Sequence, residues 1–172
     1  MSLVVLLGGA RSGKSQLALK LATRASAPAV FLATGEAGDE EMADRIARHR
    51  EERPASWSTV EEPVELERAI GDVDDTVTLI VDCLSLWVSN LIEGRPVSEI
   101  ETAAAAAARL AATRPGLTVA VSNEVGLGIV PDNALARAYR DVLGRVNALW
   151  VAAADEAYFV VAGRTIELEE LK

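Results

Sequence analysis

The sequence predicts an α/β protein with three layers, a mainly parallel sheet and an antiparallel hairpin near its C-terminal end. Two observations carry this prediction. Short apolar runs alternate with segments whose apolar residues recur at helical spacing, in the order β-α-β-α-β-α-β-α-β-β. No linker, charge block or repeat interrupts this alternation, so residues 1–172 are predicted to form one domain.

The first strand and the turn that follows it give the strongest signal in the chain. Five apolar residues, 3–7, lead into the pattern G-x-x-x-x-G-K-[ST], which is met by Gly8, Gly13, Lys14 and Ser15. In such a loop, glycines let successive N–H groups turn toward a phosphate chain, the lysine supplies a point charge, and the hydroxyl can bind Mg²⁺. A Gly-rich turn between strand and helix, without a nucleotide, is the alternative. With a phosphate-binding loop in place, the predicted architecture is the three-layer P-loop NTPase fold of the RecA-like type.

The first helix is predicted over residues 14–25, and residues 29–33 form a second apolar strand. In open α/β sheets, ligands bind beyond the carboxyl ends of the strands. Ala33, Thr34 and Gly35 lie at that end, so they are candidates for contact with nucleotide or substrate. A plain strand-ending turn is the alternative.

Residues 36–53 form a highly charged segment with Met42, Ile46 and His49 at helical spacing. A solvated surface helix is the usual meaning of such a run. His49 is the only histidine of the chain, and imidazole can act as a base or a nucleophile. Neighbouring arginines would disfavour imidazolium and keep the ring nitrogen nucleophilic.

The middle of the chain places an acidic residue at the end of a strand. Residues 54–63 are bracketed by prolines and form a loop or a short edge strand, and residues 64–70 form a helix. The run TVTLIVDCL, residues 76–84, is the most strand-like of the chain and reaches Asp82. Its carboxylate can hold Mg²⁺ opposite Ser15.

The C-terminal half continues the alternation. Helices are predicted over residues 84–92, 96–114 and 131–154, with Ser98 and Glu101 as a capping box at the second of them. Strands are predicted over residues 117–121 and 157–161, with a hairpin to residues 165–168. Polar residues and glycines follow the first of these strands, which is typical either of a substrate-facing loop or of a solvated turn. Asn147 is predicted on the polar face of the last helix.

Composition excludes several function classes. The net charge of −9 argues against a protein that binds nucleic acid or an anionic membrane. Cys83 is the only cysteine, so no intrachain disulfide can form. No secretion signal and no membrane-spanning run is apparent, so a cytoplasmic protein without membrane insertion is predicted.

Four stretches together resemble one family over nearly the whole chain. They are GGARSGKS (residues 8–15), FLATGEAGDEEMADRIARHREERP (31–54), VDCLSLWVSNL (81–91) and VSNEVGLGIVPDNALARAYRDVLGRVN (121–147). The chain is similar to the bifunctional adenosylcobinamide kinase / adenosylcobinamide-phosphate guanylyltransferase family of cobalamin biosynthesis.

The resemblance implies two reactions. The hydroxyl of adenosylcobinamide is phosphorylated with ATP or GTP, and GMP from GTP is then transferred to that phosphate through a guanylyl-histidine, giving adenosyl-GDP-cobinamide. His49 is the matching histidine, so it is expected to be catalytic together with Lys14. The resemblance also implies a homo-oligomer, a trimer in the family. The implied nucleotide contacts are Gly8, Gly9, Ala10, Arg11, Ser12, Gly13, Lys14, Ser15, Ala33, Thr34, Gly35, Arg50, Glu51, Glu52, Arg53, Glu61 and Asp82.

Two other functions stay open from the sequence. One is a small-molecule P-loop kinase without the guanylyl-transfer step. The other is a GTPase switch, against which the missing N-K-x-D signature counts. For the corrinoid, the candidates are Asn123, Glu124 and the polar face of residues 137–145.

Overall fold

The computed structural model describes residues 3–25, 27–36, 47, 50 and 53–170. Seven strands lie in one sheet within these residues, in the order β3-β2-β4-β5-β1-β6-β7. All neighbouring pairs are parallel except β6 and β7, which form an antiparallel hairpin. The strands are β1 (Leu3–Gly8), β2 (Ala29–Ala33), β3 (Ser58–Glu61), β4 (Thr78–Asp82), β5 (Thr118–Asn123), β6 (Glu156–Val161) and β7 (Arg164–Glu167).

Five helices are described in the same residues. They are α1 (Lys14–Arg24), α2 (Leu66–Gly71), α3 (Leu84–Leu91), α4 (Val97–Thr113) and α5 (Ala134–Ala153). Ala47 and Arg50 are also helical, but most of the charged helix predicted over residues 36–53 lies outside the described residues.

The sheet separates two apolar clusters, which gives the three predicted layers. Side chains alternate along β1, so Val4 and Leu6 join α1 on one face. Val5 and Leu7 join helices α2 to α5 on the other face. All six residues of β1 are buried because the strand lies inside the sheet with helices on both sides. The predicted fold class is therefore confirmed.

Two local predictions are resolved by tertiary structure. Residues 58–61 form the exposed edge strand β3 rather than a loop. The predicted capping box at α4 is wrong, because Pro96 occupies the N-cap position and no side chain caps this helix. Glu101 instead forms an ion pair with Arg145 of α5.

Candidate active site

The phosphate-loop motif joins β1 to α1, at the carboxyl edge of the sheet. At Gly8, a Cβ atom would lie 2.3 Å from the carbonyl oxygen of Val160, so only glycine fits against the neighbouring strand. Gly13 has φ 104°, a backbone conformation that side chains disfavour, and it stands directly before the first helical residue. The two glycines fixed by the motif therefore have a structural reason to be there.

Lys14 lies inside the loop with only 6% of its surface exposed. Its Nζ donates hydrogen bonds to the carbonyl oxygens of Gly8 (2.9 Å) and Gly9 (2.7 Å), and lies 3.4 Å from Ser12 Oγ. The ammonium is thus held at the centre of the turn, where a phosphate chain would pass.

The C-terminal hairpin braces the loop from outside. Its two-residue turn, Ala162 and Gly163, has φ values of 50° and 74°, as the turn that fits strand twist requires. The N–H of Gly163 donates to the carbonyl oxygen of Ser12 at 2.8 Å. The hairpin therefore fixes the part of the loop that faces away from β5.

Thr34 connects the ends of β2 and β4. The Thr34 side chain is fully buried. Its Oγ1 accepts a hydrogen bond from the N–H of Cys83 (2.9 Å) and donates one to the carbonyl oxygen of Cys83 (2.7 Å). The N–H of Thr34 donates to the carbonyl oxygen of Asp82 at 3.2 Å. Asn90 Nδ2 donates to the Thr34 carbonyl oxygen at 2.8 Å. The backbone on both sides of the Asp82 carboxylate is therefore tied to β2.

Three of the predicted nucleotide contacts gather near β2 and β3. Arg50 forms an ion pair with Glu61. Arg53 stacks on the ring of Phe31, 3.4 Å from its centroid, and its Nη1 donates to Thr59 Oγ1 at 3.0 Å. Burial lowers the pKa of Arg53 below its usual value, and the charge of Asp82 opposes this only in part. Because a guanidinium has so high a pKa that it keeps its charge in proteins, Arg53 is a cation that interacts with Asp82 across the sheet edge.

The structure places the loop of residues 8–15, the Thr34–Asp82 connection and the pair of Arg50 with Glu61 along the same edge of the sheet, with β2 and β3 three and four positions from β1. Ala33 and Gly35 flank Thr34 at the same sheet edge. His49, Glu51 and Glu52, which the sequence singled out, lie outside the described residues. Their assignment stays a prediction.

A buried polar network behind these groups was not predicted. Ser85 Oγ lies 2.9 Å from Cys83 Sγ and accepts from Asn123 Nδ2 at 3.1 Å. The carbonyl oxygen of Ser85 accepts from Tyr139 OH at 3.1 Å. Burial is the main cause that raises the pKa of Cys83 to about 11 and that of Tyr139 to about 12. Both groups are therefore neutral near pH 7.

Asn147 corrects the polar face predicted for the last helix. It is 4% exposed, accepts from Ser122 Oγ at 2.6 Å and donates to the carbonyl oxygen of Asn123 at 3.0 Å. Two polar residues, Ser122 and Asn123, end a buried strand and need hydrogen-bond partners. That need is the sequence signal that could have suggested a buried Asn147. Arg137 of the same predicted face donates to the carbonyl oxygens of Pro131 (2.9 Å) and Asp132 (2.6 Å), so it holds the preceding loop.

An exposed apolar segment, residues 125–130, follows β5. Leu127 is 80% exposed and Ile129 is 97% exposed. The segment starts beside the phosphate loop, because the N–H of Glu124 donates to the carbonyl oxygen of Gly8 at 3.1 Å. The predicted phosphate loop and an exposed apolar surface therefore adjoin at this edge.

The predicted metal ligands are hard oxygen donors. Ser15 lies in the first turn of α1 and Asp82 ends β4. In nucleotide sites, Mg²⁺ is held by one or two protein oxygens together with phosphates and water. This donor set fits Mg²⁺ bound together with a nucleotide. Among the described residues, no group of three or more His, Cys, Asp or Glu could hold a metal ion by itself.

Comparison with known proteins identifies relatives along the whole chain. The sequence model of the cobinamide kinase / cobinamide phosphate guanyltransferase family matches residues 4–168. The bifunctional adenosylcobalamin biosynthesis protein CobP of Pseudomonas aeruginosa is 39% identical over 166 residues, 96% of each chain. The proteins named CobU of Escherichia coli and Salmonella typhimurium are 36% and 38% identical, over 97% of this chain and 99% of theirs.

A solved structure supports the fold. An ATPase from the type III secretion system of pathogenic bacteria superposes with a TM-score of 0.52 over 96% of this chain, at 12% sequence identity. This chain spans 56% of that ATPase chain. At this identity the likeness concerns the fold alone. Within the part of the chain that is described, no helix has both the length and the apolar character to cross a bilayer.

Proposed function

Because the chain belongs to the cobinamide kinase / cobinamide phosphate guanyltransferase family, we propose that it phosphorylates adenosylcobinamide and then guanylylates the product. In the first reaction, ATP or GTP gives its γ-phosphoryl group to the substrate hydroxyl. In the second, GTP gives GMP to the new phosphate, which yields adenosyl-GDP-cobinamide and pyrophosphate. The observation that carries the kinase half is the complete phosphate loop, with Lys14 buried at its centre.

In the kinase half, the backbone N–H groups of residues 8–15 and the Lys14 ammonium bind the phosphate chain. Ser15 and Asp82 would hold Mg²⁺. A bound Mg²⁺ would neutralise part of the negative charge of the phosphates. Thr34 keeps the backbone at Asp82 in place through its two hydrogen bonds to Cys83. Arg53, which is cationic and stacked on Phe31, adds positive charge on the side of β2.

In the transfer half, His49 is the proposed nucleophile. A neutral imidazole nitrogen attacks the α-phosphorus of GTP, the bond to the bridging oxygen breaks, and pyrophosphate leaves. An oxygen of adenosylcobinamide phosphate then attacks the phosphorus of the adduct, and the histidine is regenerated. This assignment rests on the sequence motif RIARHREERP, residues 45–54, and on the absence of any other histidine in the chain.

The apolar segment of residues 125–130 supports a large organic substrate. A corrinoid presents broad apolar faces, and exposed apolar side chains next to a polar site are typical of ligand contact. Since Glu124 begins this segment on the wall of the phosphate loop, a corrinoid lying there could bring its hydroxyl to the γ-phosphate. We also propose a cytoplasmic homo-oligomer, which the family resemblance supports.

Covalent labelling tests the transfer half. Wild type and His49→Ala are incubated with α-labelled GTP and Mg²⁺, denatured, and assayed for label on the protein. Label that is acid-labile and base-stable, on wild type alone, is the expected result for a phosphoramidate at His49. No label on wild type, with adenosylcobinamide still phosphorylated, would leave a P-loop kinase without the transfer step.

A further inference from the structure

Glu124, a candidate corrinoid contact from the sequence, is a carboxylate beside the phosphate loop to which the proposed function gives no part in the chemistry. It directly follows β5, the strand between β1 with the phosphate loop and β4 with Asp82. Its N–H donates to the Gly8 carbonyl oxygen at 3.1 Å, and Lys14 Nζ donates to the same oxygen at 2.9 Å. The Glu124 amide and the Lys14 ammonium therefore bind the same carbonyl oxygen, that of Gly8.

Of the other glutamates described at this edge, Glu61 and Glu62 are further away and engaged, and Glu36, which follows β2, is exposed. Strands in a sheet are about 4.8 Å apart, so β2 and β3 stand about 14 and 19 Å from β1, whereas β5 is its direct neighbour. Glu61 pairs with Arg50. Glu62 accepts from the N–H groups of Val64 (3.1 Å) and Glu65 (3.0 Å) and pairs with Arg68.

The Glu124 side chain is half-buried, and its Oε1 accepts a hydrogen bond from the N–H of Gly126. Within the described residues, its second oxygen has no such bond. The bond from the Gly126 N–H holds the carboxylate at the start of the apolar segment, which begins beside the phosphate loop. A corrinoid lying on that segment, as proposed, would have its hydroxyl on the side of the phosphate loop.

We propose that Glu124 is the general base of the kinase half; this inference rests on the proposed function. The substrate hydroxyl oxygen forms a bond to the γ-phosphorus, and the bond from that phosphorus to the β,γ-bridging oxygen breaks. The nucleoside diphosphate leaves with the bond's electron pair. The hydroxyl proton passes to the Glu124 carboxylate, which returns it to solvent after the product has formed.

The same base has no task in the guanylyl transfer. There the attacking group is an oxygen of a phosphate monoester, whose second pKa is about 6, so it is largely ionised at neutral pH. It carries no proton that must be removed during attack. Loss of the base should therefore slow the first reaction and leave the second one intact.

Glu124→Gln tests this separation, because the glutamine amide oxygen can still accept from the Gly126 N–H. The first assay measures phosphorylation of adenosylcobinamide with γ-labelled ATP. The second starts from adenosylcobinamide phosphate and measures GDP-cobinamide formed with GTP. We expect kcat of the first reaction to fall on the order of 10²-fold, the lower range for a lost general base, with no change in the second.

Glu93→Gln, at an exposed glutamate after α3, is the matched control and should change neither reaction. Glu124→Asp, which keeps a carboxylate, should recover part of the kinase rate. Equal loss in both reactions would mean that Glu124 only holds the loop. An unchanged kinase rate would mean that another group takes the proton. Either result overturns the assignment of Glu124 and leaves the proposed function standing. A wild type that does not phosphorylate adenosylcobinamide would overturn the proposed function as well.

Discussion

Thr34→Val replaces the hydroxyl that ties β2 to β4 with a methyl group of nearly the same shape. Thr34 is fully buried, and its Oγ1 makes hydrogen bonds of 2.9 Å and 2.7 Å with the N–H and the carbonyl oxygen of Cys83. Valine can make neither bond. Since Cys83 is itself buried, water cannot replace the lost partner without a rearrangement of the strand ends.

The magnitude follows mainly from the Cys83 N–H, which loses its partner, because the Cys83 carbonyl oxygen still accepts from the N–H of Trp87 at 3.2 Å. A buried donor or acceptor left without a hydrogen bond costs about 1–3 kcal/mol. The added methyl group returns about 1 kcal/mol of apolar burial. The bond lost at the carbonyl oxygen costs about 1 kcal/mol, which the methyl group offsets, so we expect the free energy of unfolding of Thr34→Val to fall by about 1–3 kcal/mol, a substantial part of the stability of a domain.

Thr34→Ser is the matched control, because it keeps the hydroxyl and removes only the methyl group. Its free energy of unfolding should fall by about 1 kcal/mol, the value for one buried methyl group. Both variants are measured by urea unfolding, followed by circular dichroism, with the slope m checked for constancy. A loss below about 1 kcal/mol for Thr34→Val, or equal losses for both variants, would refute the reasoning.

The same pair of variants reports on the site. If Asp82 holds Mg²⁺ as proposed, Thr34→Val should raise the Mg²⁺ concentration needed for half-maximal kinase rate, because the backbone beside the carboxylate is released. Thr34→Ser should not.

Two further predictions concern single groups of the site. Lys14→Ala should lower the kinase rate by about 10²–10³-fold, as for the loss of one preorganised charge-stabilising group, while the circular dichroism spectrum stays unchanged; unchanged phosphorylation would contradict the role of Lys14. Cys83 should resist maleimide in the folded protein at pH 8, because burial raises the pKa of its thiol to about 11 and only the thiolate reacts. Labelling should become rapid in urea, and fast labelling without denaturant would show that the end of β4 opens.

The strands and the phosphate loop could be predicted because their signals are local. β1 is buried along its whole length, so its apolar run needs no partner to be recognised. The glycines at positions 8 and 13 report backbone requirements of the loop itself. That Thr34 and Asp82 lie at the same edge followed from parallel pairing, since the carboxyl ends of parallel strands lie together.

Other features depend on contacts between distant residues. The stacking of Arg53 on Phe31 joins two elements, and neither local sequence indicates it. Asn147 looked like a surface residue because polar side chains on a helix usually face water, but Ser122 and Asn123 of β5 satisfy its amide inside the protein. The His49 assignment and the single-domain reading stay predictions.

The buried network explains how the sheet edge can be rigid without adding charge to the site. The ends of β2, β4 and β5 carry backbone groups that would otherwise need water, and Thr34, Ser85, Asn123 and Asn147 satisfy them or one another. None of these four side chains ionises. Cys83 and Tyr139, which adjoin them, have pKa values raised by burial to about 11 and about 12, so both are protonated across the neutral pH range. The charge of the network therefore does not change across the neutral pH range. The groups available to bind a polyphosphate and its metal ion are those of the phosphate loop, Asp82 and the neighbouring arginines.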